Sequence, residues 1–125
     1  MKILIVDDER SIRNSLKEIL VDEGYDVDVA ENGVQGCDMV DKEKYSVIFC
    51  DIKMPEMDGM EFLDKINAMG VDAAVVMISG HGDIQTAVEC IKKGAFDFIP
   101  KPLDLNRILI TIKNATEKAS PAKET

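Results

Sequence analysis

Four short stretches of the chain end in side chains that could share one piece of chemistry. "ILIVDDE" (3–9) delivers Asp7, Asp8 and Glu9, and "VIFCD" (47–51) delivers Asp51. "VVMIS" (75–79) delivers Ser79, and "FDFIPKP" (96–102) delivers Lys101 between Pro100 and Pro102. Each time an apolar run leads directly into a polar group. Carboxylates gathered in one crevice cannot all ionise cheaply, because two unit charges ~4 Å apart repel by roughly 4 kcal/mol at an effective dielectric near 20. Either some remain protonated or a cation sits among them. Asp7, Asp8 and Asp51 offer oxygen ligands only, with no His or Cys from a second strand to make a zinc-type site. That set suits a hard ion, Mg²⁺ or alternatively Mn²⁺, which uses few carboxylates and keeps several waters. Lys101 adds a second positive charge. A metal and an ammonium beside one carboxylate are the apparatus of phosphoryl transfer, with Asp51 as nucleophile and an aspartyl phosphate as product.

The elements that must position these groups follow from periodicity. "ILIV" (3–6), "VIFC" (47–50), "AAVVMI" (73–78) and "FDFI" (96–99) are near-continuous apolar runs, as expected of strands covered on both faces of a parallel sheet. "DVDVA" (26–30) alternates, which predicts a strand with one exposed face at an edge. Between them lie helical stripes: Ile12, Leu16, Ile19 and Leu20; Val34, Cys37 and Val40; Leu63 and Ile66; Ile84, Ala87, Val88 and Ile91; and Leu105, Ile108, Leu109 and Ile112. Gly24, Gly70 and Gly94 are read as helix stops, and Asp83 as a cap. Five strand–helix units in alternation predict a doubly wound α/β sandwich. In such sheets, ligands bind outside the carboxyl ends of the strands. All four polar groups are expected there.

Totals narrow the function further. At 125 residues the chain is one domain in size, 46% hydrophobic and 31% charged. A formal net charge of −9 opposes direct contact with nucleic-acid phosphates. The opening "MKILIVDDE" has too short an apolar run for a signal peptide or membrane helix, so a cytoplasmic protein is expected. Cys37, Cys50 and Cys90 form no CxxC pair and are read as reduced core thiols. His81 is read as a loop residue, and the methionines as core filling. Residues 1–118 are expected to form the domain. The small, polar "ASPAKET" (119–125) is expected to be a flexible tail or the start of a linker.

With these residues in view, the chain resembles the receiver (response regulator) domain of bacterial two-component signalling. The resemblance spans roughly Lys2 to Lys118 and rests on "IVDDE" (5–9), "DIKMPEMDG" (51–59), "SGHGD" (79–83) and "GAFDFIPKP" (94–102) in that order. It implies a flavodoxin-like five-stranded sheet in the order 2-1-3-4-5. It also implies Asp51 as phosphoacceptor, with Mg²⁺ held by Asp8, Asp51 and the backbone carbonyl of Lys53, and by Asp7 through water. Lys101 would contact the phosphoryl group. Ser79 and Phe98 would be the switch pair, and Lys53 and His81 would tune dephosphorylation. The Lys101–Pro102 peptide matches one that is cis in the family. The implied donor is a sensor histidine kinase or a small acyl phosphate. Residues 79–108 are most similar to receivers of NtrC-class, sigma-54-dependent activators. That implies a downstream AAA+ ATPase and a DNA-binding domain that control transcription, the alternative being a stand-alone receiver; a homodimer that forms on phosphorylation is a further expectation. Such a domain is a signalling switch, not an enzyme with a separate substrate. Two rival readings exist. A Mg²⁺-dependent phosphohydrolase of the haloacid dehalogenase type would need a DxD after its first strand, where this chain has "DDE". A degenerate, phosphorylation-independent receiver would lack site residues that are all present here.

Overall fold

The computed structural model describes residues 1–80 and 84–118. Strands and helices alternate throughout: β1 (Lys2–Val6), α1 (Arg10–Asp22), β2 (Asp26–Ala30), α2 (Gly33–Lys42), β3 (Val47–Asp51), α3 (Gly59–Met69), β4 (Ala74–Ser79), α4 (Ile84–Lys92), β5 (Asp97–Pro100) and α5 (Leu105–Lys118). The five strands form one parallel sheet in the order β2-β1-β3-β4-β5. The order in which strands are added therefore reverses between β1 and β3, where a crevice opens at the strands' carboxyl ends.

Period-two alternation explains why the central strands are apolar throughout. Leu4, Val6, Ile48, Cys50, Val75 and Met77 face one core, closed by Phe62, Leu63 and Ile66 of α3, Val40 of α2 and Cys90 of α4. Ile3, Ile5, Val47, Phe49, Val76 and Ile78 face the other, closed by Leu16 and Leu20 of α1 and Ile108 and Ile112 of α5. The helix ends follow local chemistry. The Asn32 and Asp58 side chains cap α2 and α3 by accepting from the backbone N–H of Gln35 and Glu61. Gly24, Gly70 and Gly94 all adopt positive φ just past their helices.

Two of the helical stripes are not wholly buried faces. In α4, Ile84, Val88 and Ile91 point outward, with Ile84 83% exposed; Cys90 is the residue that α4 buries. A stripe at helical spacing shows that a helix has an apolar side but not which way it faces. In α2, Val34 is half exposed while Gly33 and Gly36 face inward. A Cβ on Gly36 would lie 2.9 Å from Phe62 Cε1 and 3.1 Å from Val6 Cγ2, so the close helix approach selects glycine, which has no hydrophobic signature. β5 lies at the sheet edge, as the order 2-1-3-4-5 requires, with Phe98 packed against one core and Ile99 buried in the other. Its Asp97 accepts from Arg107 Nη2 (3.1 and 3.3 Å) and Thr111 Oγ1 (3.1 Å), and Arg107 also donates to the Phe98 carbonyl (3.0 Å). The expected cap Asp83 lies outside the described residues.

At the amino ends of the strands, Lys2 Nζ meets Glu43 Oε1 at 2.9 Å, and Tyr45 Oη donates to Asp28 Oδ2 at 2.7 Å. These contacts join β1, β2 and the α2–β3 connection at the end opposite the crevice.

Candidate functional site

Register carries the polar groups to one place. Val6 pairs with both Ala30 and Cys50, so Asp7 follows β1 level with Asp51 at the end of β3. Asp51 is in turn opposite Ile78, one residue before Ser79. Ser79 pairs with Pro100, and its carbonyl accepts from the Lys101 amide at 2.8 Å. The Lys101–Pro102 peptide is cis. Lys101 thus begins its loop beside the strand that delivers Ser79.

Carboxylate oxygens of Asp7, Asp8 and Asp51 lie within 4.8 Å of one another. Lys101 Nζ reaches into this group, 3.4 Å from Asp7 Oδ2, 3.5 Å from Asp51 Oδ1 and 3.0 Å from Glu9 Oε1. Asp7, Asp51 and Ser79 are buried, whereas Asp8 and Lys53 are exposed at the rim. Asp8, Asp51, Lys53, Ser79, Glu9 and Lys101 border a cleft of about 230 Å³ with Gly80. Phe98 is half-buried behind it, against the core that α3 closes. His81 lies outside the described residues.

The electrostatics of the cluster follow from burial. Loss of solvent, then the negative charge of Asp7, push the Asp51 carboxyl up to about 6 despite the opposing pull of Lys101. Burial also raises Asp7, against the Glu9 amide that donates to its Oδ1 at 2.9 Å. Burial works against the Lys101 ammonium, but Glu9, Asp7 and Asp51 outweigh it and the pKa is raised. Asp7 Oδ2, fully buried, accepts no hydrogen bond. A buried carboxylate oxygen left over beside two other carboxylates fits a hard divalent cation such as Mg²⁺ with its waters. Asp7, Asp8, Asp51 and the Lys53 carbonyl are the groups that could hold one.

A pH signature follows. A carboxyl whose folded pKa is raised contributes stability below its unfolded pKa and loses it as pH rises through the folded value. For Asp51 that window runs from about pH 4 to about pH 6. In chelator-treated protein, Asp51→Asn is expected to match the parent near pH 4. By pH 8 it should be more stable by on the order of 2–3 kcal/mol. Urea denaturation of both proteins across this range is the check, and a difference independent of pH would show that the Asp51 charge is not strained.

Sequence reasoning gave no role to three further residues. Arg13 of α1 donates to the Asp7 carbonyl at 2.7 Å, fixing the turn after β1. Its signal was a half-buried cation one turn into the helix that follows the acids. Glu9 holds the shortest contact to Lys101. Gly59 presses on the end of β3: a Cβ there would lie 2.5 Å from the Asp51 carbonyl oxygen.

A sheet of this order with acids, hydroxyl and amine at its switch point defines a class, and the comparisons agree with it. The model of the response regulator receiver domain matches residues 3–113, and the chain belongs to that family. Its resemblance runs to the NtrX and NtrC type. It is 40% identical over 124 residues to a putative NtrX-like response regulator of Rickettsia bellii, covering 98% of this chain and 26% of that protein. It is 42% identical over 117 residues to the nitrogen assimilation regulatory protein NtrX of Azorhizobium caulinodans, covering 92% and 26%. Among solved structures, the beryllofluoride-activated NtrC4 receiver domain dimer superposes with a TM-score of 0.89 at 43% identity, covering 95% of this chain and 98% of that one. The chain spans about a quarter of the length of the curated relatives it matches. No helix among the described residues is long and apolar enough to cross a membrane.

Proposed function

We infer that the domain is a switch thrown by phosphorylation of Asp51. The observation that carries this reading is the convergence of Lys101 Nζ on Asp51 and Asp7 within 3.5 Å, beside the exposed Asp8. Asp8, Asp51 and the Lys53 carbonyl would hold Mg²⁺, with Asp7 acting through water. When bound, the ion supplies charge neutralisation for the phosphoryl oxygens. An Asp51 oxygen attacks phosphorus of a kinase phosphohistidine or a small acyl phosphate, and the donor's bond to phosphorus breaks with its electrons leaving on the donor. Lys101 orients the incoming group. The product gains about −1.5 to −2 charge. Ser79 is drawn to the new oxygens, and Phe98 follows into the space behind it. Lys53 and His81 would tune the later removal of the phosphoryl group by water.

The output surface on this reading is α4–β5–α5. Ile84, Val88 and Ile91 on α4 and Ile110 on α5 already expose apolar side chains there. A partner, or a second phosphorylated copy, would cover them. The domain is proposed to act in the cytoplasm, and the partners proposed are a sensor histidine kinase and, downstream, an AAA+ ATPase and a DNA-binding domain that control transcription.

Incubation with acetyl phosphate should add the mass of one phosphoryl group, dependent on Mg²⁺ and not formed when the ion is chelated beforehand. Size exclusion of the modified protein tests the dimer. Steady release of phosphate from an added ester, without a stoichiometric adduct, would instead indicate a phosphohydrolase.

A further inference from the structure

Lys101 is shared unequally among its three acids. Only Glu9 takes a hydrogen bond from it, at 3.0 Å; Asp7 and Asp51 are ion-pair neighbours at 3.4 and 3.5 Å. The Glu9 side chain is 56% exposed, whereas those of Asp7 and Asp51 are buried, so the ammonium is tilted toward the mouth of the crevice. Among the described residues the Glu9 side chain has no other ion-pair or hydrogen-bond partner. It is the N-cap residue of α1, yet its side chain makes no capping hydrogen bond. Its contact bridges 92 positions of sequence and joins the start of α1 to the end of β5.

We propose that Glu9 is a positioning residue that competes with Asp51 for the Lys101 ammonium, taking its hydrogen bond until a phosphoryl group on Asp51 offers better acceptors. The inference rests on the phosphoryl-acceptor reading of Asp51. A phosphoryl group offers more negative charge and more acceptor oxygens than Glu9 does. Lys101 exchanges one partner for the other, and the lost Glu9 contact is subtracted from the stability of the phosphorylated form. Glu9 thereby sets how far the switch lies toward its unmodified state.

Removing the competing carboxylate should favour occupancy by a phosphoryl mimic. In the whole domain with Mg²⁺, Glu9→Gln is expected to bind beryllofluoride roughly three- to tenfold more tightly than the parent. In a Lys101→Met background the same substitution should change affinity less than about twofold, because the pathway through the amine is gone. If Lys101→Met binds too weakly to compare, ionic strength decides. A direct contact to the part-buried ammonium keeps its effect between about 0.05 M and 0.5 M salt, whereas a diffuse field effect collapses. Unchanged or weakened binding by Glu9→Gln, or an equal gain without Lys101, overturns the proposal while leaving the acceptor reading intact. Failure of the parent itself to bind beryllofluoride overturns both, and is distinguishable because it appears before any substitution.

Discussion

Asp51→Asn is expected to gain no phosphoryl mass from acetyl phosphate and Mg²⁺, under conditions where the parent is modified to completion. The amide lacks the anionic oxygen that must attack phosphorus, and no acyl phosphate can form on it. The substitution keeps the shape of the side chain and removes one charge from a buried cluster of like charges. The fold should therefore be at least as stable as the parent's near neutral pH, so lost modification cannot be ascribed to unfolding. Intact-mass measurement alongside a denaturation curve reads both quantities. A variant that is modified at the parental rate would place the acceptor elsewhere and remove the basis for the switch.

The second large effect concerns stability. Gly59→Ala is expected to destabilise the domain by about 2–3 kcal/mol or more, since the clash is with backbone that cannot swing aside. The added Cβ would lie 2.5 Å from the Asp51 carbonyl oxygen, 2.7 Å from Ile52 Cα and 2.9 Å from Met77 Cε. The Gly59 amide also donates to the Ile52 carbonyl at 2.7 Å, so α3 cannot draw back without losing that bond. Relief would displace the very residue that carries the nucleophile, and the variant should be modified more slowly as well. A loss below about 0.5 kcal/mol in urea titration would mean that the end of β3 yields easily.

Much of this was legible in the chain. Continuous apolar runs ending in acid, hydroxyl or amine gave the parallel sheet and the end at which its polar groups gather, because burial on both faces and ligand binding at strand ends are general consequences of the doubly wound layout. Orientation was less legible. The α4 stripe of Ile84, Val88 and Ile91 has the spacing of a core face but lies on the surface, and periodicity is blind to that inversion. Glycine at positions 36 and 59 marks close approaches between elements while leaving no apolar signal. Glu9 was visible as a third acid in "DDE", but its tie to Lys101 depends on a long-range approach that no local pattern encodes.

The polar lattice of Lys2, Asp28, Glu43 and Tyr45 has a practical corollary. It occupies the pole of the molecule remote from every group that reacts, and it is already satisfied by its own neighbours. A fluorophore or surface tether attached near that pole would leave the reactive mouth unobstructed, so that the domain could be watched as it is modified, one molecule at a time.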